Sequence, residues 1–168
     1  MTVIEHHRDN ARHVPRPAYA QPRLVLLVLL GGAIGTAGRE GIALALPWSG
    51  DTVPWAVFIV NVAGAFILGL LLTALAARRP ETPARRDVRL CVGTGVMGGF
   101  TTYSSLATDT ATLAESDLGL AVVYGLGSVL VGVAAAGLGV LAGGAVGPPR
   151  HPDGTPKDGS APGRGTGR

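Results

Sequence analysis

Four long runs of apolar positions dominate the chain, and the polar positions gather between and outside them. The runs are 24–46 (LVLLVLLGGAIGTAGREGIALAL), 55–77 (WAVFIVNVAGAFILGLLLTALAA), about 88–113 and about 118–146. A helix that crosses a bilayer needs about 20 mostly apolar residues at about 1.5 Å rise, and each run is long enough. The second and fourth carry no charge at all. A soluble helix bundle needs polar outer faces, and these two runs have none. Arg23 followed by LVLLVLL has the look of a signal peptide, but a Pro-rich stretch precedes it and three more runs follow. The pattern therefore predicts an all-α membrane protein with four transmembrane helices.

The breaks between runs are short. Pro47 and Pro54 bound the first connection, which Trp48 and Trp55 flank, as befits residues at a membrane interface. The second, 78–87 (RRPETPARRD), is the strongly charged one. The third, near 109–117, carries Asp109, Glu115 and Asp117 without Lys or Arg. The ends differ from this core. Residues 1–23 and 147–168 are rich in Pro, Gly and charge and lack an apolar period, so both are expected to be disordered tails around a 24–146 four-helix transmembrane domain.

Charge adds an orientation. Of the 14 Lys and Arg, 13 fall on the side shared by the two tails and the 78–87 loop; Arg39 is the other, within the first run. Cytoplasmic segments carry the excess of Lys and Arg, so the subunit is expected in the plasma membrane with both termini cytoplasmic. Nucleic acid is not an expected partner, because the basic residues lack a folded, aromatic-bearing surface. The single Cys excludes a disulfide framework and a multi-Cys metal site. All four His lie in the tails, and no nucleophile–base pair is visible, so no enzyme is expected.

Small residues recur four apart, at Gly31/Gly35, Gly95/Gly99, Gly132/Ala136 and Gly139/Gly143, which predicts close helix packing. Gly93, Gly95 and Gly98 form a literal G-x-G-x-x-G, but no βαβ unit surrounds it, and a dinucleotide site needs one.

The informative feature is polar chemistry inside the apolar runs. Asn61 sits in the second, GGFTTYSS (98–105) near the middle of the third, and Tyr124 and Ser128 one turn apart in the fourth. Gly98-Gly99 beside Thr101-Thr102 predicts a helix broken near its midpoint, whose freed carbonyls must be buried in protein or line a cavity. Inward carbonyls could hold a small cation. Hydroxyl and amide donors with Arg39 near one end favour an anion as the permeating species. The ring edges of Phe100 and Tyr103 can assist.

With GGAIGTAGRE (31–40), VNVAGAFILG (60–69), GVMGGFTTYSS (95–105) and Tyr124-x-x-x-Ser128 in order, the chain resembles the Fluc (CrcB) fluoride channels over about 24–146. The resemblance implies an antiparallel, dual-topology dimer with two pores, passing fluoride passively out of the cytoplasm. It also implies a structural, untransported Na⁺ at the dimer centre, held by the carbonyls of Gly98 and Thr101 from both subunits. Asn61 matches the family's pore Asn and Arg39 its vestibule Arg. Thr102, Ser104, Ser105, Tyr124 and Ser128 fall at pore-lining positions. Tyr103 and Leu106 stand where the family usually has two pore-lining Phe; Tyr keeps a ring and Leu does not. The Lys/Arg bias also departs from a subunit that inserts both ways. It suggests an orientation-fixed chain pairing with an oppositely oriented paralogue, conducting or not; a homodimer stays open. A small multidrug exporter, with Glu40 as the intramembrane carboxylate, is the alternative from another class.

Overall fold

The structure, a computed structural model, describes residues 17–78 and 80–146. Residues 1–16 of the expected 1–23 tail, the whole 147–168 tail and Arg79 lie outside the described residues, while within 17–23 the chain forms a 3-10 turn and begins its first long helix at Pro22. After a 3-10 turn at Ala18–Ala20, the elements are α1 (Pro22–Ala45), α2 (Trp55–Ala76), α3 (Pro83–Val88), a π-helical segment (Arg89–Val96), α4 (Met97–Phe100), α5 (Tyr103–Ser116) and α6 (Leu118–Val146). No strand occurs among the described residues.

Three helices, α1, α2 and α6, are long and apolar enough to cross a membrane, with mean hydropathies of 1.4, 2.4 and 2.2. The 22 residues of α2 reach about 33 Å, against a hydrocarbon core of about 30 Å. The third run is a bent helical path: α3 leads through the π segment into α4, the backbone is extended at Thr101 and Thr102, and α5 resumes. The outer surface is apolar, with Leu130 69% and Leu141 71% exposed. Water would penalise such faces heavily; lipid does not.

Two local signals set the turns. Pro83 opens α3 behind Thr82, whose hydroxyl accepts from the Arg85 N–H. Asp117 alone separates α5 from α6, and its carboxylate accepts from the Leu120 N–H at 2.9 Å. The expected loop at 109–117 is thus corrected: helix runs to Ser116, and Asp109 is helical. The reason is that one capping Asp suffices to end one helix and start the next.

The helices pair by close approach of small residues. A Cβ on Gly31 would strike the Cys91 carbonyl, and one on Gly99 the Gly32 carbonyl, so α1 lies against the π segment and α4. Likewise Gly139 faces the Phe66 carbonyl and Gly143 the Leu70 carbonyl, which seats α6 on α2. In both pairs the contact positions climb together, so each pair is parallel. Gly132 takes no part: nothing lies within 4 Å of where its Cβ would be. The G-x-G-x-x-G glycines diverge. Gly95 packs on Val28, Gly93 meets Leu68, Leu71 and Leu72, and Gly98 faces open space. They form no common cradle for a phosphate.

Alternation places the start of α1, the α2–α3 connection and the end of α6 at one end of the bundle. Arg23, Arg78, Arg85, Arg86 and Arg89 share that end. Arg23 grips Asp87 with two bonds, 2.6 and 3.2 Å, tying α1 to α3. At the other end Trp48 donates from Nε1 to the Thr52 carbonyl at 2.5 Å, and Gly50 supplies the turn's positive φ of 101°.

Candidate functional site

The site is built around two residues that leave the helix. Thr101 (φ −80°, ψ 153°) and Thr102 (φ −147°, ψ 114°) are extended between α4 and α5. In an uninterrupted helix the Thr102 N–H would reach the Gly98 carbonyl. Here it donates to Asn61 Oδ1 at 2.8 Å, while Asn61 Nδ2 donates to the Thr102 carbonyl at 2.9 Å. One amide side chain from α2 therefore supplies the N–H with the acceptor it lost and the carbonyl with a donor. This answers the cost of orphaned backbone groups away from water. A side-chain amide has two N–H donors, so Asn61 keeps one beyond the clamp.

Hydroxyls complete the break. Thr102 Oγ1 caps α5 by accepting from the Ser105 N–H at 3.1 Å. It also reaches Ser105 Oγ at 3.0 Å and Ser104 Oγ at 3.2 Å. Thr101 Oγ1 turns back to the Met97 carbonyl at 2.9 Å, and the Thr36 hydroxyl lies 3.5 Å from the Gly99 carbonyl.

A cavity of about 110 Å³ opens on this cluster, lined by Arg39, Glu40 and Ala43 of α1, Ala56, Val57 and Val60 of α2, and Thr102 and Ser105. Arg39 Nε is buried there without a hydrogen-bond partner among the described residues. The cavity thus brings the Arg39 and Glu40 side chains into one hollow with the hydroxyls at the break, along apolar walls.

A second group lies further along the α5–α6 contact. Leu106, Leu113, Ala121 and Tyr124 form a buried cluster, with Trp48, Val53, Val57, Phe58 and Leu120 packed against it. The Tyr124 hydroxyl and Ser128 Oγ are buried and have no hydrogen-bond partner among the described residues. Two buried donors of this kind on one helix face call for a guest or for ordered water.

Residues 26–140 match the family described as CrcB-like protein, Camphor Resistance (CrcB). The chain belongs to this family. It is 44% identical over 132 residues to "Fluoride-specific ion channel FluC 2" of Leifsonia xyli subsp. xyli, covering 78% of this chain and 90% of that one. It is 45% identical over 118 residues to "Fluoride-specific ion channel FluC 1" of Cutibacterium acnes, covering 70% and 80%. Against "Fluoride-specific ion channel FluC" of Thermus thermophilus it is 39% identical over 123 residues, covering 72% and 95%.

Within this CrcB-like chain, the fold brings Arg39, Asn61, Thr102, Ser104 and Ser105 together. Leu106 and Tyr124 meet in the second cluster, with Ser128 one turn along α6. Tyr103 joins neither, being 80% exposed, and Gly98 is also exposed, beside the half-buried Thr101. The cavity's apolar lining, Ala43, Ala56, Val57 and Val60, carried no sequence signal, because apolar residues in an apolar run look alike. The pair of hydrogen bonds between Asn61 and Thr102 was likewise invisible: the side chain's partners are backbone atoms 41 positions away.

Proposed function

We propose that this chain forms a fluoride-specific channel that lets fluoride leave the cytoplasm down its gradient. The observation that carries the reading is the cavity joining Arg39 to the hydroxyl cluster that Asn61 holds at the helix break. The names of its relatives point to the same ion. Fluoride is small and strongly hydrated, so a pore must replace its water with closely spaced donors. Arg39 attracts the anion, and Glu40 beside it moderates that field at the mouth. The spare Asn61 N–H and the Thr102, Ser104 and Ser105 hydroxyls are the first donors. The Tyr124 and Ser128 hydroxyls, unpartnered among the described residues, continue the row. Val57, Val60 and Leu106 keep the surroundings dry, which strengthens each donor.

The working unit on this reading is an antiparallel dimer. Gly98, Tyr103, Ser104 and Thr108 form an exposed, largely polar face on an otherwise apolar surface. Polar groups at membrane depth face protein or a water-filled path rather than lipid. A structural Na⁺ fits the same face. Because the Thr102 N–H goes to Asn61, the Gly98 carbonyl loses its helical donor, and no atom lies within 4 Å of where a Gly98 Cβ would be. The Gly98 and Thr101 carbonyls of two subunits would offer four hard oxygen ligands, suited to a hard cation. The Arg-rich end would be cytoplasmic, with both termini on that side.

A second reading has a specific observation behind it. Leu106 is buried under Tyr124, where the resemblance leads one to expect a ring, and the charge bias favours a fixed orientation. The chain would then be a non-conducting partner for an oppositely oriented subunit. Expression in a fluoride-hypersensitive bacterium tests both. Growth restored by this chain alone supports the channel; growth restored only with a paralogue supports the partner reading. No rescue under either condition, with the protein present in the membrane, contradicts both. Labelling of single cysteines placed near each end, in intact cells, tests orientation; a mixed population contradicts fixed insertion.

A further inference from the structure

The Arg-rich end carries a second, larger cavity that the fluoride path does not use. It measures about 720 Å³ and is lined by Leu72, Leu75 and Ala76 of α2, Arg78, Pro80 and Glu81 of the connection, and Arg89 of the π segment. We propose that it binds an anionic phospholipid, the phosphate between Arg78 and Arg89 and an acyl chain along Leu72, Leu75 and Ala76.

Two chemistries meet in one hollow. Leu72, Leu75 and Ala76 share a face at helical spacing, and α2 ends at Ala76. The charged wall begins two residues later. That step from apolar to cationic is the step a phospholipid makes from chain to phosphate. The cationic wall is also available. Arg85 is engaged with the Arg78 and Pro80 carbonyls, and Arg23 with Asp87. Among the described residues, the Arg78 guanidinium has no hydrogen-bond or ion-pair partner. Arg89 uses only Nε, on Glu81 Oε1 at 2.9 Å, with both side chains about half exposed. Two guanidiniums against one carboxylate leave the hollow cationic. Arg85, by holding the connection's carbonyls, removes acceptors that would repel a phosphate. Basic pockets between membrane helices on the cytoplasmic side suit anionic headgroups. The apolar wall argues for a lipid over free phosphate.

The test uses the purified full-length chain in neutral detergent and native mass spectrometry. Phosphatidylglycerol, phosphatidylcholine with the same acyl chains, and inorganic phosphate are titrated separately. Phosphatidylglycerol should bind most tightly. Removing each arginine should weaken it roughly five-fold, and R78Q/R89Q roughly thirty-fold, at about 1 kcal/mol per basic residue. R86Q, whose side chain is off the cavity, should bind as the parent does. Equal affinity for the two lipids overturns the proposal, as does inorganic phosphate binding as well as phosphatidylglycerol. A loss in R86Q equal to that in R78Q/R89Q replaces the site with diffuse surface attraction. The three parent titrations decide the matter even if a variant fails to fold, and none of them depends on fluoride movement.

Discussion

The α2–α6 seam and the α4–α5 break solve opposite problems with opposite means. At the seam, Gly139 and Gly143 bring one backbone against another, and no polar side chain is needed. Close packing holds helices together where lipid supplies no hydrophobic drive. At the break, the backbone gives up helical bonds, and Asn61, Thr102 and Ser105 replace them. Shape protects the first region and hydrogen bonding the second. Only the second leaves donors to spare, so only the second can handle an ion. A seam variant should therefore fail by loss of structure, and a break variant by loss of function with much of the bundle intact.

The largest effect is expected from Asn61→Leu. It orphans the Thr102 N–H, at about 1–3 kcal/mol, strips the Asn61 donor from the Thr102 carbonyl, and removes the spare donor. Fluoride efflux should vanish while the purified variant still runs as a folded, helical protein by circular dichroism. Next comes Gly139→Val, which drives a branched side chain into the Phe66 carbonyl. Overpacking costs typically about 1–3 kcal/mol. It should lower thermal stability and yield before altering ion selectivity. A selective loss of fluoride conduction at full stability would erase the contrast between the regions.

Thr102→Val follows. It removes the α5 cap, worth about 0.5–2 kcal/mol, and frees Ser104 and Ser105 from their common partner. Efflux should fall while Thr102→Ser retains most of it. Arg39→Gln should reduce the rate of fluoride entry, most strongly at low ionic strength, where an attracting charge acts furthest.

The smallest effect concerns the connection between α1 and α2. The Ser49 hydroxyl, and then Asp51's own backbone, hold the Asp51 carboxyl below the usual carboxylate range. A depressed folded value stabilises above the unfolded value, and that stabilisation fades as pH falls through the folded one. The carboxylate is fully exposed, so the contribution is slight. Ser49→Ala should return Asp51 toward its ordinary titration, seen by NMR, and leave efflux unchanged.

Much of this was legible in the chain. The apolar runs announced the helices, because composition alone decides whether a segment of this length can face lipid. The GGFTTYSS segment announced an irregularity, because two Gly and a pair of Thr weaken a helix locally. The π-helical path at Arg89–Val96 was not legible: its residues carry no pattern that separates π from α winding, and its close packing on α1 through Gly95 is a tertiary contact. Nor was the one-residue turn at Asp117, since Glu115 and Ser116 read as loop residues until the helix is seen to include them. At the site, residue types pointed to Asn61 and the hydroxyls. The clamp on Thr102 and the apolar walls needed tertiary contacts that no local pattern encodes.

The most direct test is ion flux from liposomes holding the purified chain alone, followed with a fluoride electrode and with chloride as the control anion. Fluoride efflux should run well above chloride efflux and be abolished in Asn61→Leu. Equal passage of both ions, or fluoride efflux unchanged in Asn61→Leu, would contradict the proposed channel.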